Sequence, residues 1–460
     1  MDDGSSVGVA STAVGLTIVQ KSDRRRARNE KSTVGLVLAG GAISGGAFKL
    51  GGLIALNTYL DNRKVTDLDV YVGVSAGAFL AAPLSAGVPP EELMRSIQGR
   101  SSIITQFRPW HFYSPNVQEF VGKPLEFAHD LVGFFPSLLT SMGRSLRSRW
   151  LRRAVGDFAR QPSYANLERL MAPVIRDLTG NSALGKNGMS YLPGGLFDNG
   201  QIERFIRENL RRNRLPNNFR LLQMERNNRL YIAATDLNTA QRTLFGYDED
   251  TSATISEAVQ ASSAIPGFFR PVRIGDHEYV DGGVRRTANI STCAEKGADL
   301  IICYNPFRPY VNVLDGSNPR FRSMAAMGPG VVLDQIFRTL LHSRLHLGIQ
   351  RLAMDPSFKG DLLVIEPAEN DARMFNISPI AFWKRALAAE AGYLSVKSTL
   401  ERHHTRLTNI FATHGVRTNL KRLKEDESAL RVARRTDEDV FEVLDGMVNE
   451  APDKHLYLVR

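Results

Sequence analysis

Asp69-Val70-Tyr71-Val72-Gly73-Val74-Ser75-Ala76-Gly77-Ala78-Phe79 carries a short β-branched run into a small-residue turn. The Ala/Leu-rich segment Ala78-Phe79-Leu80-Ala81-Ala82-Pro83 leaves it. Strand, sharp turn and helix are the setting that a G-x-S-x-G nucleophile elbow requires. Gly73 and Gly77 matter because the serine between them sits in strained backbone, where a neighbouring Cβ would clash. The turn lifts the Ser75 hydroxyl above the sheet at the start of a helix, whose free N–H groups favour developing negative charge. By itself the pattern is short, and a small-residue turn that happens to hold a serine reads the same way.

Upstream, Val34-Gly35-Leu36-Val37-Leu38-Ala39 is a continuous apolar run, as expected of a buried parallel strand. It flows into Gly40, Gly41, Ala42, Ile43, Ser44, Gly45 and Gly46, and a helical pattern follows from Ala47. A glycine-rich turn between strand and helix points several N–H groups at one spot, which suits an anion. The spacing is not G-x-G-x-x-G and no G-K-[ST] follows, so nucleotide loops are excluded and an oxyanion-binding loop over residues 40–46 remains. Two successive strand–turn–helix units predict a parallel α/β sheet.

Further along, residues 230–236, 241–247, 300–304 and 362–365 read as strands. Residues 200–210 read as a helix capped by Asn199, and residues 255–264 as a helix stopped by Ile265-Pro266-Gly267. Residues 331–354 and 380–414 have helical period. Residues 271–274 and 278–280 form a hairpin turning at Gly275-Asp276. That hairpin delivers Asp281-Gly282-Gly283, an aspartate at a strand end that two glycines free to approach another backbone. Alone, D-G-G is a common turn.

At 460 residues the chain suits one large domain with appendages, or two domains. Residues 1–32, Ser/Gly/Ala-rich and then Arg-rich, are expected to be a mobile basic tail. Residues 103–163 crowd aromatics, including Phe107, Phe112 and Trp150, around an apolar stretch at 131–139 and an arginine cluster at 144–153. That pairing reads either as an interfacial docking helix or as an inserted helical subdomain. The net charge is +10, and clustered positive charge suits nucleic acid, an anionic membrane surface or plain solvation. No apolar run approaches the roughly 20 residues of a membrane span. The start Met1-Asp2-Asp3 lacks the order of a secretory signal, and the expectation is a cytoplasmic protein. Cys293 and Cys303 lie in apolar surroundings, nine residues of sequence between them and no histidine nearby, so neither a disulfide nor a metal site is expected.

The glycine-rich loop, G-x-S-x-G and D-G-G, in that order, resemble the patatin-like phospholipase family. Ala234-Thr235-Asp236-Leu237-Asn238, the stretch Ala261-Ser262-Ser263-Ala264-Ile265-Pro266-Gly267-Phe268-Phe269 and Val364-Ile365-Glu366-Pro367 are similar too, so the likeness spans roughly residues 34–393. It implies an α/β three-layer sandwich with a mainly parallel central sheet, covering a catalytic domain at 33–397 with the helical insertion and a charged, helical extension at 398–460. It also implies a Ser–Asp dyad, with Ser75 as nucleophile, Asp281 as general base and residues 40–46 as the anion loop. In one respect the chain departs from the family. The loop there usually reads three glycines, any residue, a basic residue and glycine, whereas here no basic side chain stands before Lys49.

The implied function is a lipid acyl hydrolase acting on phospholipid or another lipid ester. It would need no cofactor or metal, touch an anionic membrane surface peripherally and bind no nucleic acid. An acyl-enzyme forms on Ser75, water then releases it, and partial burial should raise the Asp281 pKa to make a better base. Two rivals stand beside this reading. One is an α/β-hydrolase triad drawing on His342, His346, His403 or His404. The other is a non-catalytic lipid-binding protein of the same fold.

Overall fold

The computed structural model describes residues 9–11, 15–22, 32–117, 119, 160, 193–312 and 323–425. Its centre is a ten-stranded sheet. In chain order its strands are β1 (Val9–Ser11), β2 (Leu16–Gln20), β3 (Val34–Leu38), β4 (Val70–Val74), β6 (Arg229–Asp236), β7 (Arg242–Gly246), β9 (Val272–Ile274), β10 (His277–Asp281), β11 (Leu300–Tyr304) and β12 (Asp361–Ile365). Two further strands among the described residues, β5 (Gly195–Phe197) and β8 (Gly267–Phe269), pair with each other in parallel. Five neighbours, β12, β11, β3, β4 and β6, run parallel. These strands are buried on both faces, which is why β3, β4, β11 and β12 read as unbroken apolar runs and not as alternation.

Helices cover both faces. On one, the helices Ile290–Glu295 and Pro329–Met354 share a core with Val37, Val72, Tyr231 and Cys303. On the other lie α1 (Ala42–Tyr59) and α2 (Ala76–Ser85), where Phe48 packs on Tyr304 and a Cβ at Gly73 would sit 2.5 Å from the Ala78 Cα. The helix Arg385–Arg402 docks on α1 backbone to backbone. A Cβ at Gly51 would stand 1.8 Å from the Ala389 carbonyl oxygen, and one at Gly392 would stand 1.9 Å from that of Phe48. Layers of helix, sheet and helix are the expected α/β sandwich.

Antiparallel strands finish the sheet. β2 pairs antiparallel with β12, and Leu16, Ile18 and Val19 are buried. The expectation that residues 1–32 are a tail therefore fails at 16–20. Leu16-Thr17-Ile18-Val19-Gln20 is β-branched and apolar enough to extend a sheet, and Asp361 holds its end. The Asp361 carboxylate, fully buried, accepts from the Lys21 and Ser22 N–H groups at 2.9 and 3.0 Å and from His414 Nε2 at 2.9 Å. Burial pushes that carboxyl up, but these partners outweigh it and hold the group below its ordinary range.

Two compact units divide the chain. One comprises Met1–Tyr113, Asn199–Ile265 and Pro271–Arg460; the other comprises Ser114–Asp198 and Pro266–Arg270 and contains the β5–β8 pair. The apolar stretch 131–139, the arginine cluster 144–153 and the charged terminus beyond 425 lie outside the described residues. Among the described residues no helix is long and apolar enough to cross a membrane.

Candidate active site

The register of β6 assembles the site. Along one edge β6 pairs with β7, from Tyr231↔Gly246 to Thr235↔Arg242. Its other edge is shared end to end: β4 occupies it up to Val74↔Ala233, and β10 takes over at Asp281↔Ala234. The residue after Val74 is Ser75. Two strands from distant parts of the sequence thus abut, and the serine leaving one meets the aspartate ending the other.

Ser75 is buried and sits at φ 55°, ψ −127°, outside the ordinary regions for a residue with a side chain. Its surroundings impose that conformation. A Cβ on Gly77 would fall 2.0 Å from the Leu38 carbonyl oxygen, so the turn lies hard against the end of β3. The Ser75 N–H donates to Ser262 Oγ at 2.8 Å, and Ser262 Oγ donates to the Ala233 carbonyl at 2.6 Å. Ser262, at the last turn of the helix Ile255–Ser262, therefore pins the elbow to β6.

Asp281 is also buried, 7% exposed. Its N–H donates to the Ala264 carbonyl at 2.9 Å, and its own carbonyl accepts from Thr235 Oγ1 at 3.1 Å. Gly283 N–H donates to Asp281 Oδ1 at 2.7 Å, while a Cβ on Gly282 would meet the Ala233 carbonyl oxygen at 2.1 Å. The two glycines of D-G-G thus do separate things: one donates a hydrogen bond, the other admits close approach to β6. Burial pushes the Asp281 carboxyl from its ordinary 3.8 to about 6, against the opposing pull of the Ser75 hydroxyl, the Gly283 N–H and the Lys49 charge.

The glycine-rich turn is shorter than the sequence suggests. Gly40 and Gly41 form it, and Ala42, Ile43, Ser44, Gly45 and Gly46 are already the first turns of α1. Glycines are poor helix formers, but here the helix start is held by packing: a Cβ at Gly41 or Gly45 would meet the Pro306 ring at 2.9 or 3.1 Å. The Ser44 N–H is taken by the Pro379 carbonyl. Among the described residues no acceptor faces the N–H groups of Ala42 and Ile43, as expected at a helix N-terminus. A Cβ on Gly40 would lie 3.5 Å from the Ser75 Cβ, and one on Gly46 would lie 3.3 Å from the Ala76 Cβ. The starts of α1 and α2 therefore converge on the serine.

Behind this turn lies a group that no local sequence pattern places there. Lys49, fully buried two turns into α1, donates from Nζ to the Ala39 and Gly40 carbonyls at 2.5 and 2.8 Å. Holding those oxygens inward leaves the N–H side of the turn for the pocket. Burial pulls the Lys49 ammonium down to about 7, although the Asp281 carboxylate favours its charge. The basic side chain missing from within the loop thus arrives from the far side, through the backbone.

The four histidines considered for a triad lie elsewhere. His342 faces Glu366, His404 Nδ1 meets the Tyr59 hydroxyl at 2.9 Å, and none of the four is a partner of Ser75 or Asp281 among the described residues. No group of three or more His, Cys, Asp or Glu side chains among the described residues could hold a metal ion. Asn199 does begin its helix, but its amide bonds Gln260 instead of capping.

Ser75 opens onto an apolar pocket. Its walls are built largely from a ring cluster in which Phe79 stacks on Phe205 at 5.7 Å and Phe107 meets Phe205 edge-on at 5.0 Å, closed by Phe382. Phe107 and Phe112 belong to the aromatic-rich region noted in the sequence.

A family model described as patatin-like phospholipase matches residues 36–294. Among solved structures, the chain is similar to VipD from Legionella pneumophila, at 17% identity and a TM-score of 0.34, over 86% of this chain and 70% of that one. ExoU of Pseudomonas aeruginosa, solved with SpcU, matches at 14% identity and a TM-score of 0.22, over 93% and 70%. Human GIVD cytosolic phospholipase A2, solved with methyl gamma-linolenyl fluorophosphonate, matches at 12% and 0.28, over 82% and 60%. At these identities and scores they are distant likenesses.

Proposed function

We propose, from the premise that this chain belongs to the patatin-like phospholipase family, that it is a serine-dependent lipid acyl hydrolase working through a Ser75–Asp281 dyad. The observation that carries the reading is Ser75, held in left-handed backbone, facing a buried carboxylate raised to about 6. Asp281 accepts the Ser75 Oγ proton as Oγ attacks the ester carbonyl carbon. The resulting oxyanion is received by N–H groups at the starts of α1 and α2. Collapse expels the alkoxide, which takes the proton back from Asp281, and water then repeats the sequence to free the fatty acid. A base near 6 is ionised at neutral pH and still strong enough to accept a hydroxyl proton. We assign the oxyanion site to Gly40, Gly41 and the first turn of α1, and the catalytic domain to residues 33–397.

The substrate is a phospholipid or another lipid ester, in keeping with the family and with an apolar pocket at the nucleophile. Such a substrate lies in an aggregate, so peripheral contact with an anionic membrane belongs to the same proposal, with the arginines at 144–153 as the contact. A fluorophosphonate probe should label Ser75, and Ser75→Ala should abolish both labelling and lipid hydrolysis. Full hydrolysis by the alanine variant would end this reading. If Ser75→Ala and wild type both bind lipid and neither turns it over, the non-catalytic alternative stands instead.

A further inference from the structure

The pocket contains one charged group that the dyad chemistry does not use. Arg385 begins the helix Arg385–Arg402, lies beyond the residues matched by the family model, and lines the same pocket as Ser75. It is 9% exposed. Its Nη1 and Nη2 reach the Phe382 and Ile97 carbonyls only at 3.2 and 3.4 Å, and its Nε has no partner. The guanidinium lies over the Phe382 ring at 4.3 Å. No carboxylate among the described residues pairs with it.

The other buried cations of the fold are treated differently. Arg338, 1% exposed, donates from Nε to Asp334 at 2.7 Å. Lys49 has the field of Asp281 and two short carbonyl bonds. Among the described residues Arg385 has no carboxylate to oppose its burial, which pulls its pKa down to about 10. An unpaired buried cation is costly, and the cost falls when a ligand brings the counter-charge. The remaining walls are apolar, apart from small hydroxyls such as Ser96, which already donates to the Thr105 carbonyl at 2.6 Å. A ligand fitting this pocket is therefore an amphiphile with one anionic group.

We infer that Arg385 is an anion subsite of the pocket, receiving the phosphate or carboxylate of an amphiphile whose apolar part lies against Phe79, Phe107 and Phe205. This rests on reading the pocket as the substrate site. The anion has two natural sources there, the phosphodiester of a phospholipid substrate and the carboxylate of the released fatty acid. Arg385 makes the difference between these ligands and their uncharged counterparts, and so determines specificity.

The test measures equilibrium binding by calorimetry in the Ser75→Ala background, where no turnover is needed. Dihexanoylphosphatidylglycerol is compared with dihexanoylglycerol, and decanoate with decanol, all below their aggregation limits. Charge-assisted hydrogen bonds of this kind give about a tenfold to hundredfold preference for the anionic member. Arg385→Gln should erase that preference, and Arg385→Lys should keep part of it. Preference in the phospholipid pair identifies the phosphate as the source, and preference in the decanoate pair identifies the carboxylate. No preference in either pair, or one that survives Arg385→Gln, overturns the subsite. Should the glutamine variant fail to fold, Arg385→Met fills the space without the charge. It should melt at or above the Ser75→Ala parent while losing the anion preference. Failure of the hydrolase reading shows separately, as absence of fluorophosphonate labelling at Ser75 in the wild type.

Discussion

Asp281→Asn should make the protein both inactive and more stable, with a gain that depends on pH in a defined direction. Burial places the folded carboxyl at about 6 against an ordinary 3.8. Between those values the folded state holds a proton that the unfolded chain has released. The group therefore contributes its full stability below about pH 4 and loses it as pH rises through about 6. Carrying the charge buried at pH 7 costs about 3 kcal/mol on this displacement. Asparagine keeps the shape and escapes that cost. Urea unfolding of wild type and Asp281→Asn between pH 4 and 7 should show a gap that opens by about 3 kcal/mol in favour of the variant as pH rises. Hydrolysis should meanwhile fall at least about a hundredfold, the scale of general-base catalysis. A gap that stays flat across this range, or that closes as pH rises, would refute a buried carboxyl that holds its proton more tightly in the folded state than in the unfolded chain.

Two further outcomes test the parts around the dyad. Ser262→Ala removes the acceptor of the Ser75 N–H and leaves it buried and unpaired; thermal unfolding should show a loss of about 1–3 kcal/mol, and kcat should fall without a matching rise in KM because the elbow loosens. Lys49→Met removes the charge that pulls Asp281 down, so the acid limb of kcat/KM should move to higher pH. An unmoved limb would mean that Lys49 does not sense the base.

The elbow around Ser75 was legible in its strand–turn–helix pattern, whereas the D-G-G hairpin alone reads as a common turn and Asp281 stood out only through the likeness to the family. What the sequence could not display was the shared edge of β6, which brings Val74 and Asp281 to adjacent positions, Ala233 and Ala234. Register between strands from distant segments has no local signature. The same reason hid β2, whose partner follows hundreds of residues later, and Ser262, whose hydroxyl bonds to a backbone amide in no periodic pattern. The start of α1 was misplaced for a different reason. Glycine at 40, 41, 45 and 46 argues locally for a loop, and the packing of Gly41 and Gly45 on Pro306 overrides it. Lys49 was visible in the sequence, but the reach of its Nζ back to the Ala39 and Gly40 carbonyls was not, since that depends on how α1 packs against the end of β3. Arg385 carries no local signal, being one charge inside the helical period at 380–414.

Pairing β2 with β12 also has a consequence in time. Lys21 and Asp361 lie 340 positions apart, an interval that takes a ribosome roughly 20–70 s to synthesise. β3 waits almost as long for β11, its parallel neighbour on the side away from β4, and the Ala39 N–H waits for the Tyr304 carbonyl. Until then β3 presents an open apolar edge, the kind that invites pairing with other chains. The nascent protein thus carries Ser75 long before, and Asp281 shortly before, it can hold the glycine turn in place. Hydrolytic power should appear late, after the strands beyond residue 294 have emerged, and a fragment ending there should aggregate while remaining silent towards a fluorophosphonate. Stalled nascent chains of increasing length, probed for labelling at Ser75, would date that step; labelling in chains that stop short of β11 would show that the site can form without its neighbour.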